Sequence, residues 1–158
     1  MTMYVLFTES ALCYMYTHAQ RRWMQKEAGG ELYSSTPHSL RIVVDAVAGP
    51  HQEDYRTRHS YNPNLKSTDN ARLEMYARGR HAIGLWHTHP ERSPRPSGQD
   101  KKTTEEYLRA FGNDRDRYLS IIIGNRGDLL EIAVWSAEKN GDWLSWNEFH
   151  GQVQDQIP

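Results

Sequence analysis

The sequence has a single cysteine, Cys13, among its 158 residues. One cysteine cannot form an intramolecular disulfide, so the cross-linked scaffolds of small secreted proteins are excluded and a reducing, cytoplasmic location is favoured. A lone cysteine could act as a nucleophile. The apolar residues around Cys13 predict instead that its side chain is a small buried hydrophobic group.

The chain also lacks an excess of charge of either sign, and it lacks long hydrophobic runs. Its 19 basic and 20 acidic residues give a formal net charge of −1, which provides no overall field to attract nucleic acid. No window is long and apolar enough to span a membrane, and residues 1–7 are too short for a signal peptide. We therefore expect neither a nucleic-acid partner nor a membrane segment.

Hydrophobic residues make up 37% of the chain and charged residues 25%, a balance typical of one globular domain, here spanning residues 1–158. Runs of β-branched and apolar residues predict strands at 3–7, 31–35, 40–47, 81–87, 118–123 and 129–135. Apolar residues at helical spacing predict helices at 10–26, capped by Ser10, and at 65–78 and 98–111. Interleaved strands and helices around one sheet indicate an α/β or mixed α+β fold.

Three segments have weaker patterns. Residues 49–64 have the polar, turn-rich composition of a loop, with a short strand around 58–61. Residues 125–128 predict a turn between two strands. The C-terminal residues include Trp143, Trp146 and Phe149, and their pattern assigns them no definite element.

The clearest chemical signal begins with two histidines at the end of an apolar strand. His87 and His89 are two positions apart, so their imidazoles project from the same face of the strand. Ser97 is predicted to cap the next helix, and Asp100 lies in the first turn of that helix. Two imidazoles and one carboxylate, with water as the fourth ligand, form the open tetrahedral zinc site of a hydrolase.

Each of these residues also has an ordinary structural explanation. A single histidine in a strand is more often a hydrogen-bonded structural residue than a metal ligand. Ser97 and Asp100 could serve only to cap the helix. A helix cap explains Ser97 well, but it gives no reason for the two histidines on either side of Thr88. The combination therefore favours a metal site.

A zinc hydrolase also needs a base that takes a proton from the attacking water, commonly a carboxylate that does not bind the metal. The candidates are Glu9, Glu27, Glu31 and the acids after Asp45. Glu27 lies where the first predicted helix ends against Gly29–Gly30, a pair typical of a helix C-cap followed by a close backbone approach, and beside a strand that could neighbour the strand of the two histidines. Taken alone, a glutamate at this position is more often a surface carboxylate.

Together these residues resemble the JAMM signature of the catalytic MPN+ (JAB) metallopeptidases. The resemblance rests on His87-Thr88-His89-Pro90, on the following Ser97 and Asp100, and on the upstream segment Glu27-Ala28-Gly29-Gly30. A further likeness is to the bacterial stand-alone branch found in antiphage signalling (CBASS) operons. It rests on Gly49-Pro50, Asp54-Tyr55-Arg56-Thr57-Arg58, Trp86-His87-Thr88-His89-Pro90-Glu91 and Pro94-Arg95-Pro96-Ser97.

The resemblance implies a single MPN/JAB domain, a cytidine-deaminase-like mixed sheet flanked by helices, and one Zn²⁺ per chain. His87, His89 and Asp100 would hold the zinc ion. Glu27 would act as the general base and pass the proton on to the leaving amine. Ser97 would donate a hydrogen bond to the oxyanion.

The resemblance also implies a substrate and a pathway. In this branch the cleaved bond follows the C-terminal tail of a ubiquitin-like modifier, or of a cGAS/DncV-like nucleotidyltransferase (CD-NTase), conjugated to a target protein in antiphage defence. An E1/E2-like conjugating enzyme encoded in the same operon is an implied partner. An extended tail needs a narrow groove, and we expect the loop at 49–64, with Asp54, Arg56 and Arg58, to form one wall of it.

Two other functions are compatible with the sequence. A non-catalytic MPN-type scaffold would usually have lost a metal ligand, whereas this chain keeps all five site residues. A JAB zinc hydrolase of a small molecule, a cell-wall peptide or a ubiquitin-like precursor would use the same site. The motif therefore does not distinguish precursor processing from deconjugation, and it does not identify the modifier. It also does not give the oligomeric state.

Overall fold

The computed structural model describes residues 4–127, 130–146 and 152–153. Its strands are β1 (Tyr4–Thr8), β2 (Gly29–Ser34), β3 (Arg41–Val44), β4 (Ala46–Val47), β5 (Tyr55–Arg56), β6 (Tyr61–Asn62), β7 (His81–Thr88), β8 (Arg117–Ile123), β9 (Ile132–Glu138), β10 (Trp143–Ser145) and β11 (Gln152–Val153). Its helices are α1 (Glu9–Thr17), α2 (Leu65–Ala77) and α3 (Gly98–Phe111), with a 3₁₀ turn at Gly112–Asp114. Within these residues no helix is long and apolar enough to cross a membrane.

A six-stranded mixed sheet with the order β10-β9-β8-β7-β2-β4 lies at the centre of the fold. Strand β7 pairs in parallel with β8 and antiparallel with β2, so hydrogen bonds hold its backbone on both sides. This strand carries the histidine motif at its carboxyl end. A mixed sheet with helices packed on it confirms the predicted fold class.

Two smaller β structures accompany the main sheet. Strand β1 lies between β11 and β3 and is parallel to both. Strands β5 and β6 form a separate antiparallel hairpin. The segment predicted as one strand at 40–47 is divided at Asp45, since β3 joins the smaller sheet and β4 joins the edge of the main sheet.

The two faces of β7 have different surroundings. Trp86 is buried in the main apolar core, together with Leu12 and Met15 of α1, and its indole N–H donates to the Ala48 carbonyl at 2.9 Å. Leu85 packs instead against a smaller apolar cluster that includes Leu108 of α3. Because side chains alternate along a strand, Thr88 follows Trp86 toward the α1 side and His87 follows Leu85 toward the α3 side.

The first helix is shorter than the predicted 10–26. It ends at Thr17, and its N-cap is Thr8, whose side chain accepts a hydrogen bond from the Ala11 N–H, so the predicted Ser10 cap was wrong. Trp23 is 75% exposed on the following loop, so its helical spacing from the apolar residues of α1 was coincidental. Three residues after the end of this helix, the buried Gln20 side chain donates hydrogen bonds to the backbone carbonyls of Gln25 and Arg58.

Several local predictions are corrected by the structure. Cys13 is exposed, because the turn of α1 directs Leu12 and Met15 into the core and Cys13 away from it. Gly29 and Gly30 belong to β2 and do not cap a helix. The short strand expected at 58–61 is replaced by the β5–β6 hairpin, whose turn is closed by the Thr57 N–H bonding to the Ser60 carbonyl. Phe149 lies outside the described residues, and β9 begins at Ile132.

Candidate metal centre

The structure brings His87, His89 and Asp100 into one cluster. The two histidine Nε2 atoms are 3.0 Å apart. The Asp100 Oδ2 atom lies 3.1 Å from Nε2 of His87 and 3.2 Å from Nε2 of His89. Both imidazoles are buried, and the carboxylate closes the third corner of a nearly regular triangle.

Backbone structure explains how the two histidines are oriented. His87 belongs to β7 and pairs with Ile122 of β8. His89 lies just beyond β7, where its N–H still donates to the Ile123 carbonyl at 3.0 Å, which extends the strand geometry by one residue. The alternation of strand side chains therefore continues through His89 and places both rings on one face.

Asp100 is oriented by the start of α3. The Ser97 side chain accepts from the Asp100 N–H at 3.1 Å, and the Asp100 carboxylate accepts from the Ser97 N–H at 2.7 Å, which is a complete capping box. This reciprocal pair fixes the carboxylate in the direction of the histidines. The sequence prediction placed Ser97 at the helix cap, and the structure confirms that placement.

The donor set fits a tetrahedral zinc ion. Zinc bonds of 2.0–2.1 Å at tetrahedral angles separate neighbouring ligand atoms by about 3.3 Å, close to the three separations in the cluster. Burial alone would raise the pKa of Asp100, but hydrogen bonds from His87, His89 and the Ser97 N–H hold it well below its usual range. The carboxylate is thus charged, and a divalent cation would satisfy all three converging atoms at once.

Glu27 lies across the β2–β7 pair from the metal cluster. Gly29 pairs with His87 in the antiparallel register, and the Thr88 N–H donates to the Ala28 carbonyl at 2.8 Å. When this antiparallel register is continued by two residues past the Gly29–His87 pair, Glu27 lies opposite His89. The predicted helix end at Glu27 was wrong, but its position beside the metal strand is confirmed.

The Glu27 carboxyl group has the protonation properties of a base. It is only 5% exposed. Burial raises its pKa to about 7; the charge of His89 opposes this shift, whereas those of Asp100 and Glu91 add to it. A carboxyl group with a pKa near neutrality can accept a proton in one step and release it in the next.

Glu27, His89, Ser97 and Asp100 all line one surface cleft of about 380 Å³. Residues 59–62 of the β5–β6 hairpin form one wall of this cleft. The cleft therefore collects the candidate base, two of the three candidate ligands and the candidate oxyanion donor around one open space. An extended peptide is the shape of substrate that such a groove accepts.

The three residues expected to line the groove, Asp54, Arg56 and Arg58, stabilise the hairpin instead. The two arginines bind it to the segment before β2. The Arg56 Nε donates to the Glu27 carbonyl at 2.6 Å, and the Arg58 guanidinium donates to the Arg22 and Trp23 carbonyls. Asp54 accepts from the Tyr61 hydroxyl at 2.8 Å inside the hairpin. These side chains hold the hairpin in place, whereas the surface that lines the cleft is formed by residues 59–62.

The neighbouring strand β7 leaves no room for a side chain at position 29. A Cβ atom there would lie 2.5 Å from the Trp86 carbonyl oxygen and 3.0 Å from the Tyr61 ring. At Gly30 it would lie 1.8 Å from the Ala48 carbonyl oxygen. The separations of 2.5 and 1.8 Å are shorter than atoms tolerate, so the paired glycines let β7 and the residue after β4 approach β2 beside the histidine cluster. The glycine pair predicts a close approach of another segment, but the sequence does not identify Trp86 and Ala48 as the residues that approach.

Comparison with known proteins agrees with this geometry. The family model for prokaryotic homologs of the JAB domain matches residues 8–147. The chain belongs to this family. The JAB-domain chain is 28% identical over 135 residues to a protein of Pseudomonas aeruginosa (strain BWHPSA011 / Pa011) named CD-NTase/cGAS isopeptidase, with 84% of each chain covered.

A solved structure shows the same fold. The solution structure of a Desulfitobacterium hafniense protein superposes on the JAB-domain chain with a TM-score of 0.67. The match covers 95% of this chain and 94% of that one, at 19% sequence identity. The similarity at this level of identity concerns the fold.

Proposed function

We propose that this JAB-domain protein is a zinc-dependent isopeptidase that removes target proteins from the C-terminal tail of a CD-NTase or of a ubiquitin-like modifier. The observation that carries the proposal is the shared cleft, which Glu27, His89, Ser97 and Asp100 all line, with Glu27 opposite His89 in the strand register. A non-catalytic scaffold would need neither a buried glutamate of raised pKa nor a free serine hydroxyl beside the ligands.

His87, His89 and Asp100 would hold one Zn²⁺ per chain. When bound, zinc would acidify water and polarise the scissile carbonyl. Glu27 takes the proton from the attacking water, and its pKa near 7 lets it hold that proton until the leaving nitrogen receives it.

Ser97 acts on the oxygen of the scissile carbonyl. Its hydroxyl oxygen accepts from the Asp100 N–H, so its proton is available for donation to the oxyanion that develops during attack. No base of the described residues hydrogen-bonds to this hydroxyl, so Ser97 serves as a donor and not as a nucleophile. The scissile bond would lie in the cleft that Glu27 and Ser97 both line.

Two further observations favour an isopeptidase of protein tails over a hydrolase of small molecules. The cleft is an open groove with a hairpin wall, which suits an extended chain. The Pseudomonas aeruginosa relative is named for a CD-NTase/cGAS isopeptidase activity. We infer that a CD-NTase conjugate is the substrate, and that a conjugating enzyme of E1/E2 type makes the bond that this protein cleaves.

The test is cleavage of a fusion that joins the tail of a CD-NTase to a reporter protein, with zinc content measured on the same sample. We expect one zinc per chain, cleavage at the tail junction, and loss of cleavage on chelation. Glu27→Gln should retain zinc and lose about 10²–10⁴-fold in turnover. Glu74→Gln, at an exposed acid of α2, is the matched control and should keep full turnover.

Each of two results would contradict a separate part of the proposal. A Glu27→Gln variant with parental turnover would remove Glu27 as the base. The non-catalytic scaffold function would be indicated if the purified protein contained no zinc, still bound a tail conjugate in the presence of chelator, and did not cleave it.

A further inference from the structure

Thr88, the residue between the two histidines, is fully buried and faces away from the metal cluster. Its hydroxyl oxygen accepts from the Ala28 N–H at 3.0 Å, and its hydroxyl proton is donated to the Gln20 Oε1 at 2.9 Å. Its backbone N–H donates to the Ala28 carbonyl at 2.8 Å. Both polar backbone groups of Ala28, the neighbour of Glu27, are therefore bound to Thr88.

Gln20 extends this connection to the hairpin. Its side chain is almost completely buried, and its Nε2 donates to the Arg58 carbonyl at 2.8 Å and to the Gln25 carbonyl at 3.1 Å. The amide thus uses both N–H groups and its oxygen. One buried side chain joins the metal strand, the loop before β2 and the β5–β6 hairpin.

These contacts affect the position of Glu27, which lies two residues before the start of β2. Its N–H donates to the Thr57 carbonyl at 2.8 Å, and its carbonyl accepts from Arg56. Its own backbone groups are therefore held by the hairpin, while the next residue is held by Thr88. The hydrogen bonds of Glu27 to the hairpin and those of Ala28 to Thr88 therefore together set the distance between Glu27 and the candidate metal ligands.

We propose that Gln20 and Thr88 are positioning residues that set the place of Glu27 relative to His87 and His89. The proposal rests on the function proposed above, in which Glu27 is the base. Neither side chain reaches the cleft, so neither touches a substrate. Displacing a catalytic group by about 1 Å can lower the rate about 100-fold, so loss of the Thr88 hydroxyl should lower turnover while leaving the metal ligands in place.

Four variants test the proposal. Thr88→Val keeps the shape and removes the hydroxyl, and Thr88→Ser keeps the hydroxyl. Gln20→Met removes the amide at similar length. Ser136→Ala is the matched control, because the fully buried Ser136 hydroxyl accepts a hydrogen bond from the Trp146 indole at 3.0 Å on β9, away from the site.

The measurements are zinc content, kcat and KM on the tail fusion, and amide hydrogen exchange of residues 18–28. For Thr88→Val and Gln20→Met we expect parental zinc content, kcat lowered about 10–100-fold, KM within about threefold, and faster exchange of residues 18–28. Thr88→Ser should recover most of the lost kcat. Ser136→Ala should match the parent in kcat and in exchange of this segment.

Parental kcat in Thr88→Val, or an equal loss of kcat in Ser136→Ala, would overturn the positioning role. If the parent protein cleaves no tail fusion, the proposed function has failed, and the exchange experiment then decides the inference alone. Faster exchange of residues 18–28 in Thr88→Val but not in Ser136→Ala would support it. Unchanged exchange in both would overturn it.

Discussion

Ser97 and Asp100 exchange two hydrogen bonds, each accepting from the backbone N–H of the other, at 3.1 and 2.7 Å. The same carboxylate oxygen that accepts from Ser97 also faces both histidines. The start of α3 and the candidate metal cluster are therefore one piece of structure. A change at either residue should therefore affect both helix stability and site chemistry, and stability and turnover can be measured separately.

Ser97→Ala should retain zinc, lower turnover on the tail fusion about 10²–10³-fold by removing the oxyanion donor, and destabilise the protein by about 1 kcal/mol by removing the helix cap. Thr8→Ala removes the N-cap of α1, whose side chain accepts from the Ala11 N–H, and is the matched control. It should cost similar stability with full turnover. Equal loss of turnover in both variants would show that Ser97 acts only through the helix.

Asp100→Asn should keep a helix-capping oxygen but abolish tight zinc binding, because the neutral amide replaces the charged carboxylate of the cluster. A ligand present at 100 times its dissociation constant stabilises a folded protein by about 2.7 kcal/mol. Adding zinc should therefore raise the melting temperature of the metal-free parent by several degrees and leave that of Asp100→Asn unchanged. A zinc-induced shift of equal size in both proteins would exclude Asp100 as a ligand.

Glu27 should make the metal-free protein less stable as the pH rises. Its pKa of about 7 in the folded state exceeds the value of about 4.3 expected in the unfolded chain. The protonated carboxyl group therefore contributes stability below about pH 4.3, and this contribution is lost as the pH rises through 7.

The measurement is urea unfolding of the parent and of Glu27→Gln, both with chelator, at pH 5 and pH 8. Between these two pH values the parent should lose about 2–3 kcal/mol relative to the variant, since each pKa unit corresponds to about 1.4 kcal/mol. Parallel pH dependences in the two proteins would contradict the raised pKa.

Arg72→Met should destabilise the protein by about 3 kcal/mol, because it leaves the buried Glu31 carboxylate without its ionic partner. Burial raises the pKa of Glu31 even with Arg72 beside it, so the loss should grow toward alkaline pH. Adding Glu31→Gln should recover most of the stability. The control Arg80→Met, at a partly exposed pair with Asp45, should cost less than about 1 kcal/mol; equal costs would contradict the role of burial.

The arrangement of His87, His89 and Asp100 could be predicted because local rules determine it. Strand alternation aligns His87 with His89, and a capping pattern identifies Ser97 at the start of α3. The position of Glu27 required a long-range pairing, since Thr88 and Ala28 are 60 positions apart. The glutamate was found through its family resemblance, and the strand pairing that places it could not be derived from local sequence.

The end of α1 and the contacts of Gln20 could not be predicted for the same reason. Apolar residues continue at helical spacing after Thr17, and no glycine or proline marks the end of the helix. Three residues beyond its end, the chain is instead held by the buried hydrogen bond of Gln20 with Thr88, 68 positions away. Glutamine has no sequence signature for such a contact, whereas Gly29 and Gly30 did indicate the close approach of another segment.

The reciprocal cap at α3 also bears on the order in which the site assembles. His87, His89 and Asp100 lie on one short stretch of chain, so bringing them together costs little loop entropy, whereas placing Glu27 requires the distant segments β7 and the β5–β6 hairpin. We expect partly folded forms of the protein to bind zinc, but more weakly than the folded form, so that zinc still raises the melting temperature. Metal content will then report local structure, and turnover will report that the whole domain has folded.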